Sequence, residues 1–174
     1  PALNEEGNLL CLYERLVEVL EAFGRSCEIL FVDDGSSDGT AALAEDLCRK
    51  DERVALIVLR RNFGKAAALA AGFAIARGEF VITMDCDLQD DPAEIPKLVA
   101  KLDEGYDLVS GWKYPRRDPL SKIVPSKVIN WVARFLTGIK LHDFNCGFKA
   151  YRRNVVQDLP LYGAERLRDL PDGA

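Results

Sequence analysis

Phe80-Val81-Ile82-Thr83-Met84-Asp85-Cys86-Asp87 is an apolar run that ends in two carboxylates. The apolar part reads as a buried strand. In extended backbone, residues i and i+2 point to one side, so Asp85 and Asp87 face the same space while Cys86 points away. Paired carboxylates just past a buried strand repel each other unless a cation or a shared proton compensates, and a hard divalent metal is the natural compensator. A metal there neutralises phosphates, which points to a phosphorylated ligand. An isolated Asp-x-Asp is common in solvated loops, and it is the position after a buried strand that separates this one from them.

Outward from that strand, helical and extended patterns alternate. Leu9, Leu12, Tyr13, Leu16, Val19, Leu20 and Phe23 recur at helical spacing. Glu28–Asp33 reads as a buried strand closed by the turn-rich Asp33-Asp34-Gly35-Ser36-Ser37-Asp38-Gly39. A helix follows over Thr40–Arg49, a strand over Val54–Leu59 and an Ala-rich helix over Lys65–Arg77. Beyond the acidic pair, Asp91-Pro92 starts a helix over Ala93–Glu104, and Tyr106–Gly111 is extended. The alternation predicts an α/β fold with a mostly parallel sheet flanked by helices on both faces. Ligands of such sheets bind beyond the carboxyl ends of the strands, where both acidic clusters fall. After Gly111 the pattern changes to a Pro- and Arg-containing loop over Tyr114–Leu120, then a helix over Ser121–Thr137. On that helix the apolar residues fill an arc of roughly 160°, with Ser126, Lys127, Asn130 and Arg134 opposite. Either this is a core-facing helix with a solvated basic face, or Lys127 lies beside an anionic acceptor or membrane surface.

The 174 residues suit a single domain, 48% apolar and 29% charged, in keeping with a soluble globular chain. The net charge of −5 gives no reason to expect nucleic-acid binding. Five cysteines without a Cys-x-x-Cys pair read as reduced thiols in a cytosolic setting. One histidine, His142, argues against a His-based triad or a multi-His metal site. No stretch approaches the roughly 18 apolar residues of a membrane span. Pro1 already lies inside a strand-end loop, so the chain reads as truncated.

Single motifs leave alternatives open. Asp33 can accept hydrogen bonds from a base N–H or ribose hydroxyls, or simply belong to a tight turn in which Ser37 or Asp38 caps the next helix. Arg60-Arg61-Asn62-Phe63-Gly64-Lys65 brings Lys65 and helix-start amides toward phosphates, or is a solvated basic turn. Gln89 is a candidate oxygen ligand, and Asp90 either supports the ligands or caps locally. The Gly-rich nucleotide loops of dehydrogenases and ATPases are missing from the sequence.

The ordered set Asn4-Glu5-Glu6, Val32-Asp33-Asp34-Gly35-Ser36-Ser37-Asp38-Gly39-Thr40, Asn62-Phe63-Gly64-Lys65, Asp85-Cys86-Asp87-Leu88-Gln89-Asp90 and Asp143-Phe144-Asn145-Cys146-Gly147-Phe148-Lys149 resembles the family 2 glycosyltransferases of the GT-A fold. Within that family it is most similar to the polyprenyl-phosphate glycosyltransferases, the dolichol-phosphate mannose synthase-like branch. The resemblance covers about Pro1 to Tyr162.

The resemblance implies an inverting glycosyltransferase that moves a sugar from a nucleotide-diphosphate sugar to a polyprenyl (undecaprenyl or dolichyl) phosphate at the cytoplasmic membrane face. Pro1, Leu3, Glu5, Asp33 and Lys65 would contact the donor nucleotide, with Asp85 and Cys86 beside it. Asp85, Asp87 and Gln89 would hold Mg²⁺ or Mn²⁺, and Asp143 matches the position of a catalytic base. Lys113, Arg116, Arg117, Ser126 and Lys127 would offset charge on the acceptor phosphate. The full-length protein would be membrane-anchored, and homo-oligomerisation stays open. Against the family pattern, an edge strand before Pro1 is expected to be missing, and Ala164–Ala174 departs from the usual continuation. Rival readings are a haloacid dehalogenase-type phosphatase, a nucleotidyltransferase and a non-catalytic nucleotide-sugar-binding or partner-binding domain.

Overall fold

A computed structural model describes residues 1–111 and 146–157. The acceptor-side residues Lys113, Arg116, Arg117, Ser126 and Lys127, the helix expected over Ser121–Thr137, and Asp143 lie outside the described residues, as does the segment after Gln157.

The order of elements is α1 (Glu6–Phe23), β1 (Ile29–Asp33), α2 (Thr40–Lys50), β2 (Val54–Val58), α3 (Lys65–Ile75) and β3 (Phe80–Thr83). A 3₁₀ turn (Pro92–Glu94) then leads into α4 (Ile95–Asp103), β4 (Leu108–Ser110), β5 (Lys149–Arg152) and α5 (Arg153–Gln157). Through β4 each element falls within a few residues of its expected place. The helix expected from Ala93 opens with the 3₁₀ turn, where Asp91 accepts from the Ala93 amide. Pro96 sits in the first turn of α4, where its missing N–H costs nothing. α1 ends at Gly24 in the left-handed region (φ 70°), whose N–H bonds Leu20 O.

The sheet departs from expectation. β1 and β2 are parallel, with Ile29 opposite Val54 and Asp33 opposite Val58. β3 and β4 do not pair with them. Both pair antiparallel with β5, which lies between them, Phe80 opposite Arg152 and Leu108 opposite Tyr151. The described strands therefore form two small sheets, and of their three ladders one is parallel. Alternation signals did not reveal β5, because Lys149-Ala150-Tyr151-Arg152 carries charges at both ends and is too short for a periodic signal.

Helices cover both faces. On one side, Leu9 and Leu12 of α1 and Ala44 and Leu47 of α2 pack on Ile29 and Phe31, while α4 buries Leu98, Val99 and Leu102 around Phe148 and Ala150. On the other, α3 sets Ala67 and Ala68 against Val32, Leu59 and Phe63. Phe73 of α3 meets Tyr151 of β5 edge-to-face at 5.7 Å between ring centres, so α3 bridges both sheets. Asp51, beyond the end of α2, accepts from the Tyr13 hydroxyl at 2.8 Å and from the Arg53 guanidinium at 2.7 Å. The Arg53 hydrogen bonds hold its carboxyl well below the usual carboxylate range. No helix among the described residues is long and apolar enough to cross a membrane.

Candidate active site at the carboxyl ends of β1 and β3

The first loop and the turn after β1 are laced together. The Asn4 amide donates to Ser36 Oγ at 2.9 Å, and the Ser37 amide donates to Asn4 Oδ1 at 2.9 Å. Asn4 adopts φ 56°, a conformation Asn tolerates better than most side chains. The Glu5 amide donates to Thr40 Oγ1 at 2.8 Å, and Glu6 accepts from the Gly39 amide at 2.9 Å. The Asn-Glu-Glu segment thus works as a brace for the Asp33–Thr40 turn. The Glu5 carboxylate itself accepts from Asn8 Nδ2 at 2.7 Å, and Leu3 stands exposed beside this brace.

The two aspartates at the end of β1 have different jobs. Asp33 is 1% exposed, and its Oδ2 accepts from the Ser36 amide at 3.1 Å. Its Oδ1 is buried with no hydrogen-bond partner among the described residues. A buried unpaired acceptor is costly, and a ligand donor would satisfy it. Asp34, also buried, accepts from the Phe63 amide at 2.8 Å and the Gly64 amide at 2.9 Å. It clamps the loop that leads into α3. Sequence reasoning missed this role; the signal was Phe63-Gly64 in a turn, with Gly64 at φ 97° supplying the backbone geometry.

That clamp delivers Lys65, whose Nζ lies 2.7 Å from Asp85 Oδ2. The first carboxylate of the acidic pair therefore already carries a cationic partner. Gly147 passes so close that a Cβ there would lie 2.5 Å from Asp85 Oδ2 and 2.8 Å from Lys65 Nζ. Asp87 Oδ1 accepts from the Gln89 amide at 3.1 Å, across a turn in which Leu88 takes φ 59°. This positive φ folds Gln89 back toward Asp87. Cys86 points into the core cluster beside Ala2 and Leu9, and burial pushes its thiol up to about 11. Only its backbone is left to meet a ligand. Pro1 precedes the Ala2–Asp33 bridge at the end of β1, within electrostatic reach of Cys86, Asp85, Lys65 and Asp34. Asp90 is buried.

No cluster of three His, Cys, Asp or Glu side chains that could hold a metal occurs among the described residues. The donor chemistry is nonetheless that of a hard cation: two carboxylates and an amide oxygen on one short turn. The Lys65 ammonium on Asp85 shows that this position attracts positive charge. The structure brings Pro1, Asp33, Lys65 and Asp85 to one end of the sheets, with Asp87 and Gln89 on the adjoining turn.

A strand-end acidic pair in an α/β scaffold lies where such sheets bind their ligands. The model of glycosyl transferase family 2 matches residues 1–159, and the chain belongs to that family. Membership removes the phosphatase and nucleotidyltransferase readings. The undecaprenyl-phosphate 4-deoxy-4-formamido-L-arabinose transferase of Pseudomonas paraeruginosa is 41% identical over 158 residues, covering 90% of this chain and 47% of its own length. The protein of the same name from Salmonella paratyphi B is 41% identical over 160 residues, covering 91% and 49%. The chain thus spans about half the length of these relatives. Among solved structures, glucosyl-3-phosphoglycerate synthase from Mycobacterium tuberculosis, in complex with Mn²⁺ and UDP-glucose, superposes with a TM-score of 0.69 at 25% identity, covering 91% of this chain and 56% of that one. The α/β architecture is that of the GT-A glycosyltransferases.

Proposed function

We propose that this chain is the donor-binding part of an inverting glycosyltransferase that moves a sugar from a nucleotide-diphosphate sugar to a polyprenyl phosphate at the cytoplasmic face of a membrane. The observation that carries the reading is the convergence of the Asp33 orphan acceptor and the Asp85–Lys65 pair at neighbouring strand ends. The names of the 41%-identical relatives support the polyprenyl-phosphate acceptor.

Asp33 Oδ1 accepts a hydrogen bond from the base or ribose of the donor, with Pro1, Leu3 and Glu5 lining the nucleotide and the Cys86 backbone beneath it. Asp85, Asp87 and Gln89 would hold Mg²⁺ or Mn²⁺, which when bound offsets the charge that develops on the departing nucleoside diphosphate. Lys65, held at this centre by the Asp34 clamp, contributes a fixed positive charge toward the phosphates. A polyprenyl phosphate brings an oxygen that is already anionic, so the protein's task is positioning more than proton removal. Lys113, Arg116, Arg117, Ser126 and Lys127 offset repulsion between acceptor and donor phosphates. Asp143 orients the acceptor or serves as base. Attack by the phosphate oxygen on the anomeric carbon, with the diphosphate leaving from the opposite side, inverts the configuration.

The test is calorimetric titration of UDP-glucose and GDP-mannose into the protein with Mn²⁺, Mg²⁺ or EDTA, alongside Asp87→Ala. Metal-dependent binding that Asp87→Ala abolishes is expected. A folded protein that binds neither donor, or binds equally well in EDTA, overturns the reading. Donor binding without transfer to a short polyprenyl phosphate would favour the non-catalytic nucleotide-sugar-binding alternative.

A further inference from the structure

Among the described residues β2 is the outer strand of its sheet, with β1 as its partner. The parallel ladder between them decides where the backbone groups of β2 go. Arg53 O accepts from the Ile29 amide and the Leu59 amide donates to Asp33 O, so the odd residues serve β1. Val54, Leu56 and Val58 turn theirs the other way. The Val54 amide is used locally, donating to Asp51 O at 3.0 Å. Val54 O and the amide and carbonyl groups of Leu56 and Val58 are left on the outer edge, with no partner among the described residues.

This edge carries none of the usual protection. An open strand edge is a template for another strand, and proteins blunt it with Lys, Pro, a bulge or a covering element. Val54-Ala55-Leu56-Ile57-Val58 has neither charge nor proline, and its ladder to β1 runs without a bulge. Val58 is 52% exposed. Along the edge runs a shallow groove between Val54, Leu56 and Val58 of the strand and Glu45, Cys48 and Arg49 of α2.

Charge stands only at the two ends of the strand, and its sign differs between them. Asp51 and Glu52 precede it, and Arg60 and Arg61 follow it. Asp51 is engaged with Tyr13 and Arg53, and Arg61 lies over the Phe63 ring at 4.9 Å. Glu52 and Arg60 are exposed, and neither has a charged partner among the described residues. A strand with this pattern is complementary to itself in one direction. Antiparallel self-pairing sets acid against base at both ends, whereas parallel self-pairing sets like charge against like.

We propose that the outer edge of β2 is a self-association surface: two copies of this chain pair β2 with β2, antiparallel about a two-fold axis at Leu56, and join their β1–β2 sheets into one. The Leu56 amide of each copy donates to Leu56 O of the other. The Val58 amide of each donates to Val54 O of the other. The same register sets Glu52 opposite Arg60 at both ends. It also lays the exposed Val58 beside Val54 of the other copy, on the face that carries α2. Every contact occurs twice, as a two-fold interface requires. The interface uses no residue of the candidate active site, and the inference does not rest on the function proposed above.

The experiment is sedimentation equilibrium of the chain at low salt, beside Glu52→Lys, Arg60→Glu, an equimolar mixture of these two, and Leu56→Pro. Circular dichroism checks the fold of each. The parent is expected to be a dimer. Each charge variant alone creates two like-charged pairs across the axis and should weaken the dimer at least tenfold. The two variants change the net charge in opposite directions, so only specific pairing weakens both. In the mixture each variant meets its opposite, and a heterodimer close to the parent in affinity is expected. Leu56→Pro removes an amide that makes no bond within the chain, and proline is tolerated on an edge strand; it should leave a folded monomer. A monomeric parent overturns the proposal. So does a dimer that ignores the charge variants, or a mixture that associates no better than its components. Should Leu56→Pro fail to fold, the charge series still decides.

Discussion

Replacing Asp34 with alanine removes the acceptor for the Phe63 and Gly64 amides at once. The first of these bonds is buried and the second partly so. An unpaired buried donor costs about 1–3 kcal/mol, while one that water can reach costs less. Bonds to a carboxylate are the stronger kind, but deleting a carboxylate that is 4% exposed also returns part of its desolvation cost. The balance is a loss of about 2–4 kcal/mol. With a urea m-value of about 2 kcal/mol/M, the unfolding midpoint falls by about 1–2 M. Asp34→Asn keeps one acceptor oxygen but turns an amino group toward the other donor, so its midpoint should lie between alanine and the parent. Urea unfolding followed by circular dichroism measures all three. An alanine variant within about 0.5 kcal/mol of the parent, the range of ordinary surface changes, refutes the clamp. So does an asparagine variant as damaged as alanine.

Asp33→Ala removes the orphan acceptor, and donor affinity by calorimetry should fall at least tenfold while the urea midpoint stays at or above that of Asp34→Ala. Gly147→Ala places a methyl against Asp85 and Lys65, both flexible side chains, so Tm should barely move while metal-dependent donor binding weakens severalfold. Asp51 has its pKa lowered in the folded state, so its contribution is fully present above the unfolded carboxyl value of about 4 and is lost as pH falls below it. Asp51→Asn should therefore be less stable than the parent at pH 7, with the gap in urea midpoint narrowing steadily as the pH falls below about 4.

Most of what positions the site was legible because it rests on local rules. Helical spacing found α1, the apolar run found β3, and Asp91-Pro92 found the start of the turn before α4. The Asp33, Asp85 and Asp87 positions followed from placing acidic residues at strand ends. The partition of labour between Asp33 and Asp34 was not legible, because identical neighbours differ only in which way the chain turns after them. The Lys65–Asp85 pair joins residues on separate elements, and no local pattern predicts it. Strand pairing failed for the same reason: β5 acquires its identity from the partners on either side, not from its own four residues.

The central position of β5 also dictates an order of assembly. On a ribosome, β3 and β4 emerge long before Lys149–Arg152, yet neither is hydrogen-bonded to the other; each needs the later strand as its neighbour. Until that segment is synthesised, Phe80–Thr83 and Leu108–Ser110 carry exposed edges over a hydrophobic helix, a state prone to pairing with other nascent chains. The first half of the chain can form β1, β2 and their helices early, but the wall that bears Asp85 becomes rigid only with this late insertion. The acidic centre therefore acquires its working shape only once Lys149–Arg152 has joined β3.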